Sequence, residues 1–129
     1  MTAPNTARYV RIANLTRDTT VAERCRVASS TRDRTVGLLG TKELRRGEGL
    51  LIERSPSIHM FFMRYAIDVL FIDRHLRVTR LVRDLRPWRI VGWARGARDC
   101  IELPTGTIAR TQTAIGDQLA VLRIDDAVP

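Results

Sequence analysis

Apolar positions concentrate between residues 58 and 80, a stretch that holds all three phenylalanines and two of the three methionines. From Ile67 onward, Ile67, Val69 and Phe71 fall on one face of an extended chain, and Asp68, Leu70 and Ile72 fall on the other. Both faces are apolar except at Asp68, which predicts a central strand covered on both sides. Asp73-Arg74-His75 then turns into a strand carrying Leu76, Val78, Arg80 and Val82. Nearer the start, Val10 and Ile12 alternate with Tyr9, Arg11 and Ala13. After a turn at 16–19, a second strand is expected with Val21, Glu23, Cys25 and Val27 on one face, giving a hairpin with an arginine-decorated outer side.

Ser29-Ser30-Thr31 supplies N-caps for a short helix running to about Leu39, with Gly40 as its stop. Residues 41–49 read as a polar loop and 50–52 as a short buried strand. Residues 85–97, with Pro87, Gly92, Gly96 and both tryptophans, read as loop. A strand over 100–103 ends at Pro104, a turn or short helix follows to about Thr111, and Gly116-Asp117 turns into a final strand over 118–124. Short strands, short turns and one or two short helices predict a mainly β (α+β) fold, an antiparallel sheet shaped as a barrel or sandwich. The expected organisation is one globular domain over 8–124 between flexible tails, 1–7 and 125–129.

Composition narrows the class. A chain of 129 residues that is 44% hydrophobic can bury a core without disulfide or metal staples. It has neither a signal-peptide core in its first twenty residues nor an apolar run long enough to span a bilayer, so a cytoplasmic protein with no membrane association is expected. The net charge of +8 suggests anionic partners, but the arginines are scattered from Arg8 to Arg123 and Lys42 is the only lysine. That scatter argues against dedicated nucleic-acid binding and leaves it as a weak, arginine-mediated alternative. Cys25 and Cys100 lie far apart with no C-x-x-C spacing and read as buried thiols, Cys25 on the core face of its strand.

A set of motifs in fixed order carries a resemblance. Gly37-Leu38-Leu39 and Gly49-Leu50-Leu51 precede the run from His59 to Asp73. Pro87-Trp88-Arg89, the segment from Ile101 to Gly106, and Gly116-Asp117 follow it. Over residues 8–124 this order resembles the family called domain of unknown function 192. Ala66 stands where that family commonly has proline before its Ile-Asp pair, and Leu39 stands where methionine often ends the Gly-Leu-Met motif. The resemblance implies a small barrel-like β-rich domain with an early helix, and implies no particular activity.

Among the motif positions, Arg64, Asp68, Glu102 and Asp117, together with Trp88, are the candidate binding residues. They are expected to gather at one mouth of the barrel. A carboxylate at Asp68 needs a partner, and Arg64 is the nearest cation in sequence. His59 and Asp68 are the candidate catalytic residues, since imidazole titrates near neutrality and a carboxylate can act as general base. No zinc-type spacing, Walker loop, Rossmann glycine pattern or nucleophile elbow is present, so no metal and no cofactor is assigned. The function expected from the sequence is a non-catalytic binding or accessory domain for a small anionic ligand or a protein segment. In that reading Arg64 supplies charge, Asp68 orients it and Trp88 covers the site. The alternative is a small hydrolase using His59 or a carboxylate as base.

Overall fold

The computed structural model describes residues 8–28, 43–60, 63–92 and 94–124, the side chain of His59 excepted. The helix expected before Gly40, both tails and Trp93 lie outside these residues. The elements are β1 (Arg8–Asn14), β2 (Thr19–Ala28), β3 (Glu48–Ile52), β4 (Ile58–His59), β5 (Ile67–Ile72), β6 (Val78–Leu85), β7 (Ile90–Val91), β8 (Asp99–Pro104), α1 (Thr107–Thr111) and β9 (Leu119–Arg123). Seven strands form one curled half-barrel sheet in the order β6-β5-β8-β3-β2-β1-β9, and β4 pairs with β7 in a separate two-stranded ribbon. The two edges of the large sheet meet at one place. Arg77 bridges to Gln118, the Val78 N–H donates to the Asp117 carbonyl, and the Leu119 N–H donates to the Leu76 carbonyl.

The period-two pattern of β5 accounts for the architecture. All six of its residues are buried, and it lies between β6 and β8. Leu70 and Ile72 enter a cluster inside the curl with Val10, Ile12, Cys25, Leu51, Ile101, Leu103 and Ile108. Ile67, Val69 and Phe71 enter a second cluster on the other face with Leu50, Ile52, Met60, Met63, Leu85 and Val91. One sheet therefore serves two cores, and the expectation of a strand covered on both sides holds.

Several details differ from the pattern reading. β2 and β3 run parallel, with Cys25 beside Gly49 and Val27 beside Leu51, whereas the other pairings of the sheet are antiparallel. Glu23 is exposed and is not on the core face. A register shift puts Ala22 opposite Ile12 while Cys25 stays opposite Val10, so β2 carries one extra residue there and Glu23 and Arg24 are exposed. The stretch expected to be loop over 85–97 contains β7, which is held by β4. At Gly49 the backbone is closely packed. A Cβ there would meet Leu103 Cδ2 at 3.1 Å, Cys25 Sγ at 3.3 Å and the Glu102 carbonyl oxygen at 3.3 Å.

The ends of the barrel differ. At one end α1 crosses from the start of β5, where the Ile108 N–H reaches Asp68, to the start of β2, where the Thr19 hydroxyl donates to the Thr111 carbonyl. Ile108 is fully buried and plugs the interior. The other end is open.

Candidate functional site

The predicted residues do not gather at one mouth. Asp68 is 1% exposed. Its Oδ1 accepts the Asp84 N–H at 2.9 Å and its Oδ2 accepts the Ile108 N–H at 2.9 Å. Asp84 lies at a register shift of β6 with φ 54, so its N–H is turned off the ladder and the carboxylate satisfies it. The expected pairing with Arg64 is not made: Arg64 is exposed, and no ion pair joins the two residues among those described. Charge on Asp68 is met instead by two backbone donors.

Asp117 is also buried, in the turn before β9. Its Oδ2 accepts from Asn14 Nδ2 at 2.9 Å, Arg17 Nε at 3.0 Å and the Ala114 N–H at 2.9 Å. Burial acts to raise its pKa, but the bonds from Asn14, Arg17 and Ala114 and the Arg17 charge outweigh it and hold the carboxyl below the ordinary range. Asp68 and Asp117 thus fasten the start of α1 and the turn after it over the closed end of the barrel. Trp88 is exposed, with φ 68, and its N–H donates to the Met60 carbonyl beside the β4–β7 ribbon. The backbone of His59 lies in β4, paired with Ile90.

Glu102 lies on the outer face of β8, between Val69 and Leu50, and makes no hydrogen bond or ion pair among the described residues. Burial pushes its carboxyl up to about 8. Cys25 and Cys100 are both free and buried, on opposite faces of the sheet. Burial pushes the Cys25 thiol up to about 12, against small opposing effects from the Leu51 backbone and Arg26. Burial and then the Glu102 charge raise Cys100 as well. Neither is placed as a nucleophile. No group of three or more His, Cys, Asp or Glu able to hold a metal occurs among the described residues. No helix among them is long and apolar enough to cross a membrane.

The open end of the barrel is built from residues the sequence did not single out. A cavity of about 310 Å³ has Val10, Val27, Leu51, Leu76 and Val121 as its apolar lining. Around it stand Arg8, Glu53, Arg98, Asp99 and Arg123. Arg8 begins β1, Arg123 ends β9 and Arg98 precedes β8, so only the strand order brings them together. Arg8 contacts Glu53 at 3.3 Å, and Arg98 contacts Asp99 at 3.3 Å. Asp99 is further fixed by the Arg54 N–H at 2.8 Å. Arg123 has no ion pair among the described residues. The signal in the sequence was faint: three arginines at strand termini, each on the inward phase of its strand or next to it.

Comparison with other proteins agrees with this fold. Residues 13–121 match the family model of domain of unknown function 192, described as an uncharacterized ACR. A UPF0127 protein of Thermococcus sibiricus is 45% identical over 65 residues, which are 50% of this chain and 42% of that protein. A UPF0127 protein of Pyrococcus furiosus is 38% identical over 65 residues, 50% of this chain and 55% of its own length. The matched stretch thus spans about half the length of these curated relatives. A crystal structure of a protein of unknown function from Novosphingobium aromaticivorans superposes with a TM-score of 0.75 at 19% identity, covering 93% of this chain and 91% of that one. With most of its length matched in sequence and the same half-barrel in three dimensions, the chain belongs to the domain of unknown function 192 family.

Proposed function

We propose that the protein is a non-catalytic binding domain that takes a small anionic ligand with an apolar body into the open end of its barrel. One observation carries the reading: an accessible apolar cavity of about 310 Å³ and three guanidinium groups occur at the same end of one sheet. Such a volume is within the range of small-molecule sites, whose usual composition is an apolar lining with a few convergent polar groups. Arginine is suited to the anionic head because its planar fork binds carboxylate or phosphate in two bonds at once. Glu53 and Asp99 hold Arg8 and Arg98 in place and leave Arg123 as the uncommitted cation of the rim. The role the sequence suggested for Arg64 passes to Arg98 and Arg123, because Arg64 does not line this cavity.

Isothermal titration with a series of linear carboxylates from hexanoate to decanoate tests the reading. Affinity is expected to rise with chain length as more apolar surface is buried, by roughly 0.8 kcal/mol per methylene. Arg123→Ala and Arg98→Ala are each expected to weaken binding by about tenfold, the loss of about 1.4 kcal/mol of charge-assisted bonding. Absence of saturable binding across the series, or binding that both variants leave unchanged, rejects the mouth as the site.

A further inference from the structure

We infer that the ligand of the barrel mouth is an aliphatic α-amino acid, whose side chain enters the apolar cavity and whose carboxylate and ammonium groups are held together at the rim. That ligand keeps the anionic group of the binding reading above, on which this rests, and carries an ammonium beside it. A second cavity, of about 300 Å³, adjoins the first and points to such a head. It is lined by Glu53, Arg54, Arg98 and Asp99, and Glu53, Arg98 and Asp99 line the first cavity as well. The two spaces meet at these three side chains. One has an aliphatic lining, from Val10, Val27, Leu51, Leu76 and Val121. The other is bordered only by charge, two guanidinium groups and two carboxylates.

The charges of the second lining cancel. A plain carboxylate placed there is attracted by Arg54 and Arg98 and repelled by Glu53 and Asp99, so the cavity gives an anion alone little preference. A head with both signs on neighbouring atoms meets each wall with the opposite charge, through charge-assisted hydrogen bonds. The two acids are not equivalent. Asp99 is buried and both its oxygens are engaged: Oδ1 accepts the Arg54 N–H at 2.8 Å and Arg98 Nε at 3.3 Å, and Oδ2 accepts Arg98 Nη2 at 3.3 Å. Glu53 is tied through Oε1 to Arg8 at 3.3 Å, in a pair whose arginine side chain is 59% exposed. A pair so long and so exposed is weak. Glu53 can turn from it to an ammonium, and that turn frees Arg8 to join Arg98 and Arg123 as donors to the carboxylate. An α-amino acid sets its two charged groups one carbon apart and sends its side chain away from both, which matches a charged rim over an aliphatic interior.

Calorimetric titration of the full chain with octanoate, L-2-aminooctanoate and n-octylammonium compares one apolar body under three heads. L-2-Aminooctanoate is expected to bind tighter than octanoate by about tenfold or more, and n-octylammonium more weakly than the amino acid. Glu53→Gln keeps the size of the side chain and removes its charge at a partly exposed position, so it should fold. In that variant the preference for the amino acid over octanoate is expected to disappear. Octanoate that binds while the amino acid binds no tighter overturns the amino-acid assignment and leaves the anionic-ligand reading standing. Saturable binding by none of the three overturns both. n-Octylammonium that binds as tightly as the amino acid shows that the carboxylate goes unread and overturns the assignment. A preference that survives Glu53→Gln overturns the pairing of Glu53 with the ammonium.

Discussion

Ile108 donates its backbone N–H to the carboxylate of Asp68 at 2.9 Å, across forty positions of sequence. The bond joins the first turn of α1 to the start of β5, and the second oxygen of the same carboxylate takes the N–H of Asp84 from the shifted part of β6. One side chain therefore links the plug of the barrel, its central strand and an edge strand. A motif aspartate that invites a functional reading is here a structural clamp, and the open chemistry of the molecule lies elsewhere.

Asp68→Asn should be costly because the amide can offer only one oxygen to two N–H donors and turns its own N–H₂ toward the other. Leaving a buried donor unsatisfied and removing a charged acceptor costs about 2–4 kcal/mol. Urea denaturation should show that loss, and amide exchange should speed up at Ile108 and Asp84 before it does in β3 or β8. A cost under about 0.5 kcal/mol, with those two amides still protected, would mean that α1 is held by packing of Ile108 alone.

Asp117 gives the protein an acid limit. Its folded pKa lies below its ordinary value of 3.8, so the stability it contributes is fully present above that value and is lost as pH falls through the folded pKa. Melting temperatures measured from pH 7 to pH 2 should drop steeply below about pH 4 in the unaltered protein. Asp117→Asn should start lower at neutral pH and fall less on acidification. If both proteins lose stability with the same slope, Asp117 is not the group responsible.

Much of this was legible in the residues because it depends on period and punctuation. The alternation over β5, the Pro104 stop, the Gly106 start and the Gly116-Asp117 turn are local signals, and each marks a boundary found in the structure. The parallel pairing of β2 with β3 is different in kind, since no local pattern states which strand a strand will choose. β4 and β7 are two residues each, too short for alternation to register. The barrel-mouth arginines are hard to assemble from sequence for the same reason as the β2–β3 pairing. Arg8, Arg98 and Arg123 are remote in sequence and become neighbours only through strand order. The alternation marks Asp68 as a buried charge, but its backbone partners depend on a bulge that sequence does not announce.

Gly49 tests how closely β2, β3 and β8 are packed. An added methyl meets Leu103, Cys25 and the Glu102 backbone within 3.3 Å, and backbone cannot yield as a side-chain tip can. Gly49→Ala should cost about 1–3 kcal/mol, the usual range for overpacking. Adding Cys25→Ala removes one of the three contacts, so the double variant should be more stable than the sum of the single effects predicts. Strict additivity would show that Cys25 Sγ does not oppose the new methyl.

Glu102 makes the opposite prediction to Asp117, and the sign follows from its environment. Burial raises its folded pKa from 4.5 to about 8, so between those values the unfolded chain has released a proton that the folded chain retains. Stability must then fall as pH rises through that window, by a ceiling of about 5 kcal/mol at its upper end, less whatever local opening and water entry relieve. Glu102→Gln ionises in neither state and escapes this loss. Denaturation at pH 4 and pH 8 should find the two proteins similar in acid and the variant clearly more stable in base, which is unusual for removal of a buried charge-bearing group. If the unaltered protein is instead the more stable at pH 8, a cation already compensates Glu102. If the difference is absent at both values, the carboxyl is hydrated and burial does not govern its titration.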